Sequence, residues 1–190
     1  MRAADPLRPA VFLDRDGTLN VEVDYLHRVE DVALVPGSAE AIAELNRRGI
    51  PVVVVTNQSG IGQGRFGWEA FEAVTVRLAE LLAAHGARLD ATYVAPHSPK
   101  GRDAYHHPDH PDRKPNPGML HRAAREHRLD LSRSWMIGDK DIDLEAGRAA
   151  GCHVALVRTG YGAGVDASSA DLVAPDLGEA IRDILGQWPH

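Results

Sequence analysis

Ala10-Val11-Phe12-Leu13-Asp14-Arg15-Asp16-Gly17-Thr18 carries an apolar run straight into two carboxylates spaced two residues apart. The run reads as a strand buried on both faces, and the polar residues after it fall where open α/β sheets place their chemistry. Gly17 supplies the permissive backbone for a sharp curl, so that one carboxylate can face a substrate while the other holds a proton. Taken alone, Asp-x-Asp-Gly is also an ordinary turn. The rest of the chain decides between the two.

Outward from this stretch, strand-like runs recur at Pro51 to Val55, Ala91 to Ala95, Trp135 to Ile137 and His153 to Val157. Between them the spacing predicts helices. Ser38 is the expected N-cap of a helix through Ala41, Ile42 and Leu45 that Gly49 ends, and Trp68 to His85 repeats apolar residues at helical spacing before Gly86. Further helices are expected over Pro117 to His127, Ile142 to Ala150 and Leu177 to Leu185. Doubly apolar strands alternating with helices predict a doubly wound α/β fold, a mostly parallel sheet with helices on both faces.

The chain has 190 residues, which suits a single domain over residues 1–190 with no room for a large cap domain. Its one departure from the strand and helix rhythm is a long loop insertion at about residues 96–116, rich in Pro, His, Asp and Gly. Loops of that length are functional or disordered.

A net charge of -6 and scattered Lys and Arg residues give no basic field for nucleic acid. No stretch approaches the roughly 20 apolar residues of a membrane span, and the N-terminus shows no apolar leader. A cytoplasmic, monomeric protein is expected. The lone cysteine, Cys152, excludes an internal disulfide, fits a reducing compartment and reads as a buried structural residue.

Each remaining polar cluster follows a predicted strand or opens the next helix. Thr56-Asn57-Gln58-Ser59-Gly60 offers hydroxyls, amides and backbone N–H groups that can cradle a phosphoryl group, or simply a helix cap. Arg113-Lys114-Pro115 sets a guanidinium fork beside a point charge, both suited to phosphate oxygens. Gly138-Asp139-Lys140-Asp141-Ile142-Asp143 is a carboxylate-rich turn entering a helix, where acidic residues also favour the helix N-terminus. A parallel sheet would gather Asp14, Asp16 and Asp139 beside Thr56 and Lys114 in one crevice. Such crowding of carboxylates needs a cation, and hard oxygen ligands with open positions suit Mg2+. The implied chemistry is phosphoryl transfer.

In this order the Asp-x-Asp-Gly-Thr, Thr-Asn, Lys-Pro and Gly-Asp-x-x-x-Asp elements resemble the haloacid dehalogenase-like (HAD-like) phosphatases over nearly the whole chain. Within them, Phe12 to Asn20, Thr56 to Ile61, Arg113 to Met119 and Ile137 to Lys140 are similar to the heptose-1,7-bisphosphate 7-phosphatase family, in the branch shared with histidinol-phosphate phosphatases. The resemblance implies that Asp14 is the nucleophile and forms an aspartyl-phosphate, and that Asp16 is the general acid/base. It further implies that Thr56 and Lys114 stabilise the phosphoryl group, and that the Asp14 and Asp139 carboxylates with the Asp16 backbone carbonyl bind Mg2+. Asn57, Gln58 and Ser59 lie in the motif that meets substrate. Arg113 and Lys140 are expected to engage the second, retained phosphate of a small sugar bisphosphate. The Glu22-Val23-Asp24-Tyr25-Leu26-His27 loop matches the sugar-contacting region, although Asp24 stands where the family usually has Gly.

A second departure lies in the long loop. The family commonly closes it around zinc with Cys-x-His and then Cys-x-Cys just before Arg-Lys-Pro, whereas here the positions read Ala95, His97, His110 and Asp112. The expected loop is free of structural zinc and held by prolines and hydrogen bonds. The alternative is a weak zinc site on His97, His110 and Asp112 with His106 or His107.

Two other functions share these features. A histidinol-phosphate phosphatase keeps every catalytic residue, but Tyr25-x-His27 and Gly60-Ile61-Gly62-Gln63-Gly64 favour the sugar enzyme. A non-catalytic phosphoacceptor module would have no need of an acid/base at Asp16.

Overall fold

The computed structural model describes residues 6–188; residues 1–5 of the N-terminal stretch lie outside the described residues. Among the described residues six parallel strands form one sheet in the order β3-β2-β1-β4-β5-β6. They are β1 (Val11–Leu13), β2 (Val52–Asn57), β3 (Ala91–Ala95), β4 (Trp135–Gly138), β5 (His153–Val157) and β6 (Leu172–Ala174). The helices are α1 (Ser38–Arg47), α2 (Ser59–Gly62), α3 (Trp68–Ala83), α4 (Gly118–His127), α5 (Asp141–Ala150) and α6 (Leu177–Gln187).

Alternation within the strands sorts the core into two layers. Val11, Leu13, Val52 and Val54 point to the face covered by α1 and α6, where they meet Ile42, Leu45, Ile181 and Ile184. Phe12, Val53 and Val55 point to the opposite face with Met119 and Leu120 of α4 and Leu144 of α5. Both faces are therefore dry, as the doubly apolar strands predict. Among the described residues no large cap domain stands over the sheet.

From β1 the strand order runs to β2 and β3 on one side and to β4, β5 and β6 on the other. The reversal between β1 and β4 leaves a crevice at their carboxyl ends, the usual ligand position of such sheets. The Asp14 N–H donates across it to the Ile137 carbonyl at 2.9 Å.

Three local expectations are corrected. Ser38 is not the N-cap of α1; Gly37 holds that position with φ 83°, and the buried Ser38 hydroxyl makes no cap bond. The left-handed backbone there favours Gly over a side-chain cap. The strand expected at Pro51 to Val55 runs on to Asn57, because pairing with β3 continues through Thr56 and Asn57. Finally, β6 was not anticipated; its three residues pair with β5 at the sheet edge and are too few for periodicity to register.

Candidate active site

Four chain segments deliver the polar groups: the ends of β1, β2 and β4, and the end of the long loop. Asp14 follows β1, Thr56 and Asn57 close β2, Asp139 follows β4, and Lys114 reaches in from the loop. The Lys114 side chain is buried, with its ammonium 2.7 Å from Asp14 Oδ1, 2.7 Å from Asp143 Oδ1 and 2.8 Å from the Val55 carbonyl. Its backbone is clamped by Asn57, whose amide donates to the Lys114 carbonyl and accepts from the Lys114 N–H, both at 3.0 Å. Asn57, expected to bind substrate, spends its side chain on holding the Lys114 backbone.

The buried side chains of Asp14, Asp139 and Asp143 offer ligand oxygens that all lie within 4.8 Å of one another. Among the described residues this is the one such group of acidic, His or Cys side chains. At 4 Å and an effective dielectric near 20, each pair of like charges repels by about 4 kcal/mol, so the cluster needs compensation. Lys114 supplies part of it. Lys140 supplies more, with its ammonium 3.1 Å from Glu22, 3.3 Å from Asp139 and 3.9 Å from Asp14. Burial, with Asp14 adding to it, pushes the Asp143 carboxyl up to about 7. Burial and Asp14 likewise raise Asp139 against the pull of Lys140. Burial opposes the charge on Lys114, yet Asp14 and Asp143 outweigh it and raise its pKa. The pocket is short of positive charge.

Asp143 was not among the expected site residues. Its signal was present as the fourth residue after Asp139, at the start of α5, but acidic residues there also have a helix-terminal role. Gly138 makes its entry possible: a Cβ at Gly138 would sit 2.3 Å from the Asp143 side chain. Asp139 is fixed in the same way. The Tyr161 N–H donates to its Oδ2 at 2.8 Å, and Thr159 Oγ1 donates to the Gly17 carbonyl at 2.6 Å. A Cβ on Gly17 or Gly160 would approach Asp139 Oδ2 to 2.3 or 2.2 Å. An all-carboxylate, hard-oxygen cluster flanked by glycines fits a divalent cation such as Mg2+ better than a soft metal.

The Asp16 carboxylate is not part of this cluster. It takes 2.9 and 3.1 Å bonds from the Arg15 guanidinium, one of 3.0 Å from Asn20 and one of 2.8 Å from Gln58. Burial would raise its pKa, but Arg15 and the two amides outweigh that and lower it. The Asp16 carbonyl stays on the cluster side, 3.4 Å from the Lys140 ammonium. Gln58 also donates to Thr56 Oγ1 at 3.0 Å, tying the two together. Neither Thr56 nor Ser59 caps the short α2, whose N-cap is Gln58.

Above these groups opens a cleft of roughly 200 Å³, lined among others by Asp16, Glu22, Tyr25, Gln58, Ser59 and Lys140, with Asp24 and Asn57 at its wall. Arg113 does not line it; its guanidinium donates to the His97 carbonyl at 2.8 Å. A larger groove of about 680 Å³ runs between α1 and α6 and holds none of the expected site residues.

In the long loop His97 and His110 stack face to face, with centroids 3.5 Å apart, and His107 meets both edge-on. Asp112 pairs with Arg122 at 2.6 Å. Burial, then the neighbouring His110 and His107, lowers the His97 pKa. The Asp112 N–H donates to His110 Nδ1 at 3.1 Å. His106 donates its N–H to the Asp103 carbonyl in a 3-10 turn.

The HAD-hyrolase-like family model matches residues 112–180. The D-glycero-beta-D-manno-heptose-1,7-bisphosphate 7-phosphatase of Mesorhizobium japonicum is 51% identical over 150 residues, covering 79% of this chain and 69% of that protein. The D-glycero-D-manno-heptose-1,7-bisphosphate 7-phosphatase of Thermosynechococcus vestitus is 47% identical over 185 residues, covering 92% of this chain and 94% of that protein. Among solved structures, the D,D-heptose 1,7-bisphosphate phosphatase of B. bronchiseptica, complexed with magnesium and phosphate, superposes with a TM-score of 0.83 at 33% identity, over 94% of this chain and 99% of that one. With its switch-point crevice, buried carboxylates and Lys114, this chain belongs to the D-glycero-D-manno-heptose-1,7-bisphosphate 7-phosphatase family of HAD-like hydrolases.

Proposed function

We propose that this chain is a Mg2+-dependent phosphatase that removes the 7-phosphate of D-glycero-D-manno-heptose-1,7-bisphosphate through an aspartyl-phosphate on Asp14. One observation carries the reading: a buried aspartate at the β1 end, held by a buried lysine 2.7 Å away, beside two further carboxylates. Asp14, Asp139 and the Asp16 carbonyl would hold Mg2+, with Asp143 supporting them. The ion supplies charge neutralisation, so that an anionic nucleophile can approach an anionic phosphate.

In the first step an Asp14 oxygen forms a bond to phosphorus while the bond from phosphorus to the sugar oxygen breaks. Asp16 gives its proton to that leaving oxygen. To do so the carboxyl turns from Arg15 toward the cleft it lines, and the incoming dianion favours its proton uptake. In the second step Asp16 takes a proton from water, whose oxygen attacks phosphorus and releases inorganic phosphate from Asp14. Thr56 and Lys114 stabilise the transferring group throughout. Gln58 and Ser59 border its path, and Glu22, Asp24 and Tyr25 face the sugar. Lys140, which lines the cleft, is a cation for the retained phosphate, whereas Arg113, expected to share that role, lies outside the cleft lining. The lone buried Cys152 supports a cytoplasmic location, and we read the enzyme as a monomer acting on a small sugar bisphosphate. Among the described residues no helix is long and apolar enough to cross a membrane.

Phosphate release with Mg2+ tests the reading, comparing both anomers of the heptose bisphosphate with histidinol phosphate and fructose-1,6-bisphosphate. Preference for one heptose anomer supports the assignment and names the anomer. Preference for histidinol phosphate overturns the substrate and leaves the mechanism standing.

A further inference from the structure

The cleft is lined by residues 22–26 and by Gly60, and the segments 22–27 and 60–67 to which these belong are locked together. Tyr25 takes φ 54°, the left-handed region that a bulky side chain rarely enters. Its ring packs on Gly60, where a Cβ would come within 2.7 Å of it and 2.3 Å of Phe66. His27 stacks on Phe66 at 5.6 Å, which ties the far end of the first loop to the second. Tyr25 is thus held as a shelf in the cleft wall.

Arg65 stands on that shelf. Its guanidinium carbon lies 3.9 Å over the Tyr25 ring, and its Nε donates to Gln63 Oε1 at 3.1 Å, the same oxygen that accepts from the Tyr25 hydroxyl at 3.3 Å. The two terminal nitrogens have no hydrogen-bond partner, and no carboxylate faces them among the described residues. Three other cations around the site are paired with carboxylates. Lys114 serves Asp14 and Asp143, Lys140 serves Glu22 and Asp139, and Arg15 serves Asp16, while Arg113 has no carboxylate partner among the described residues but is turned to the His97 carbonyl and does not line the cleft. Arg102 packs against Gly64, the sequence neighbour of Arg65, and also lacks a carboxylate partner among the described residues. Arg65 and Arg102 are outside the cleft lining itself, but Arg65 stacks on the cleft-lining Tyr25, and two uncompensated guanidinium groups at this end of the cleft, in a chain of net charge -6, suit an anion.

We propose that Arg65, stacked on Tyr25 and anchored through Gln63, is the specificity-determining cation for the phosphate that the substrate keeps. The proposal rests on the sugar bisphosphate reading, and it moves this role from Arg113 to the 60–67 segment. A guanidinium fixed by stacking and by one nitrogen leaves its remaining fork free for bidentate binding of phosphate.

The test compares wild type, Arg65→Ala and Arg65→Lys on the heptose 1,7-bisphosphate and on the 7-monophosphate. Arg65→Ala should raise KM for the bisphosphate by about tenfold or more, with kcat little changed and the monophosphate constants within about twofold of wild type. Arg65→Lys, which keeps the charge and loses the fork, should fall between. Equal losses on both substrates, or no change on either, overturn the role of Arg65. A wild-type enzyme that does not prefer the bisphosphate overturns the function proposed above, a result read before any variant is made.

Discussion

The ammonium of Lys114 lies 2.7 Å from Asp14 although the two residues are 100 positions apart in the chain. The same ammonium holds Asp143, so one buried cation balances two buried carboxylates. Replacing it with an uncharged residue of similar length strands both. Lys114→Met should cost about 3 to 5 kcal/mol of stability, read by denaturant unfolding, and should lower kcat by roughly 1,000-fold. A variant with near-normal stability would show that Asp14 and Asp143 find other compensation.

Gly160→Ala tests how Asp139 is held. Gly160 has φ 54°, and its Cβ would sit 2.2 Å from Asp139 Oδ2, so the carboxylate must move. The expected result is a folded protein whose Mg2+ requirement, titrated through activity, rises by about 10- to 100-fold. An unchanged Mg2+ requirement would remove Asp139 from the metal site.

Chelation of divalent ions should stop turnover, and added Mg2+ should restore it. Ca2+ should not, because it takes more ligands at longer distances than a compact carboxylate site provides. Mg2+ should also raise the unfolding temperature, by an amount that grows with its concentration, since it binds only the folded chain. A melting curve indifferent to Mg2+ would count against a site at Asp14, Asp139 and Asp143.

Cys152 gives an alkaline signature. Burial pushes its thiol from 9.0 up to about 12. In the unfolded chain the thiol loses its proton near pH 9, whereas the folded chain keeps it, so stability is fully present below pH 9 and declines as pH rises toward 12. Wild type should therefore lose more stability than Cys152→Ala between pH 8 and pH 11 in thermal melts. A thiol reagent should label the native protein slowly and the unfolded protein at once. A constant difference between wild type and variant across that range would refute the shift.

The strands and most helices were legible because burial on both faces writes continuous apolar runs, and helices write a 3.6-residue repeat. Asp14, Thr56, Lys114 and Asp139 were legible for the related reason that chemistry in such sheets sits just past a strand or at the end of a loop that returns to it. Ser38 misled because a Ser before an apolar repeat looks the same whether it caps the helix or follows a left-handed Gly37. The edge strand Leu172–Ala174 escaped because three residues carry no period.

Local order along the chain thus determined which residues end each strand, and with them the carboxylates, the lysine and the class of chemistry. Which side chains touch was decided only by the tertiary structure. The strand order β3-β2-β1-β4-β5-β6 brings the ends of β1 and β4 together, and that adjacency, with the room left by Gly138, places Asp143 beside Asp14. The pairing of Asp16 with Arg15, the clamp of Asn57 on Lys114 and the stacking of Arg65 on Tyr25 likewise depend on side-chain direction and loop packing. Periodicity records how a segment meets the core, but carries no information on which distant segment it meets there.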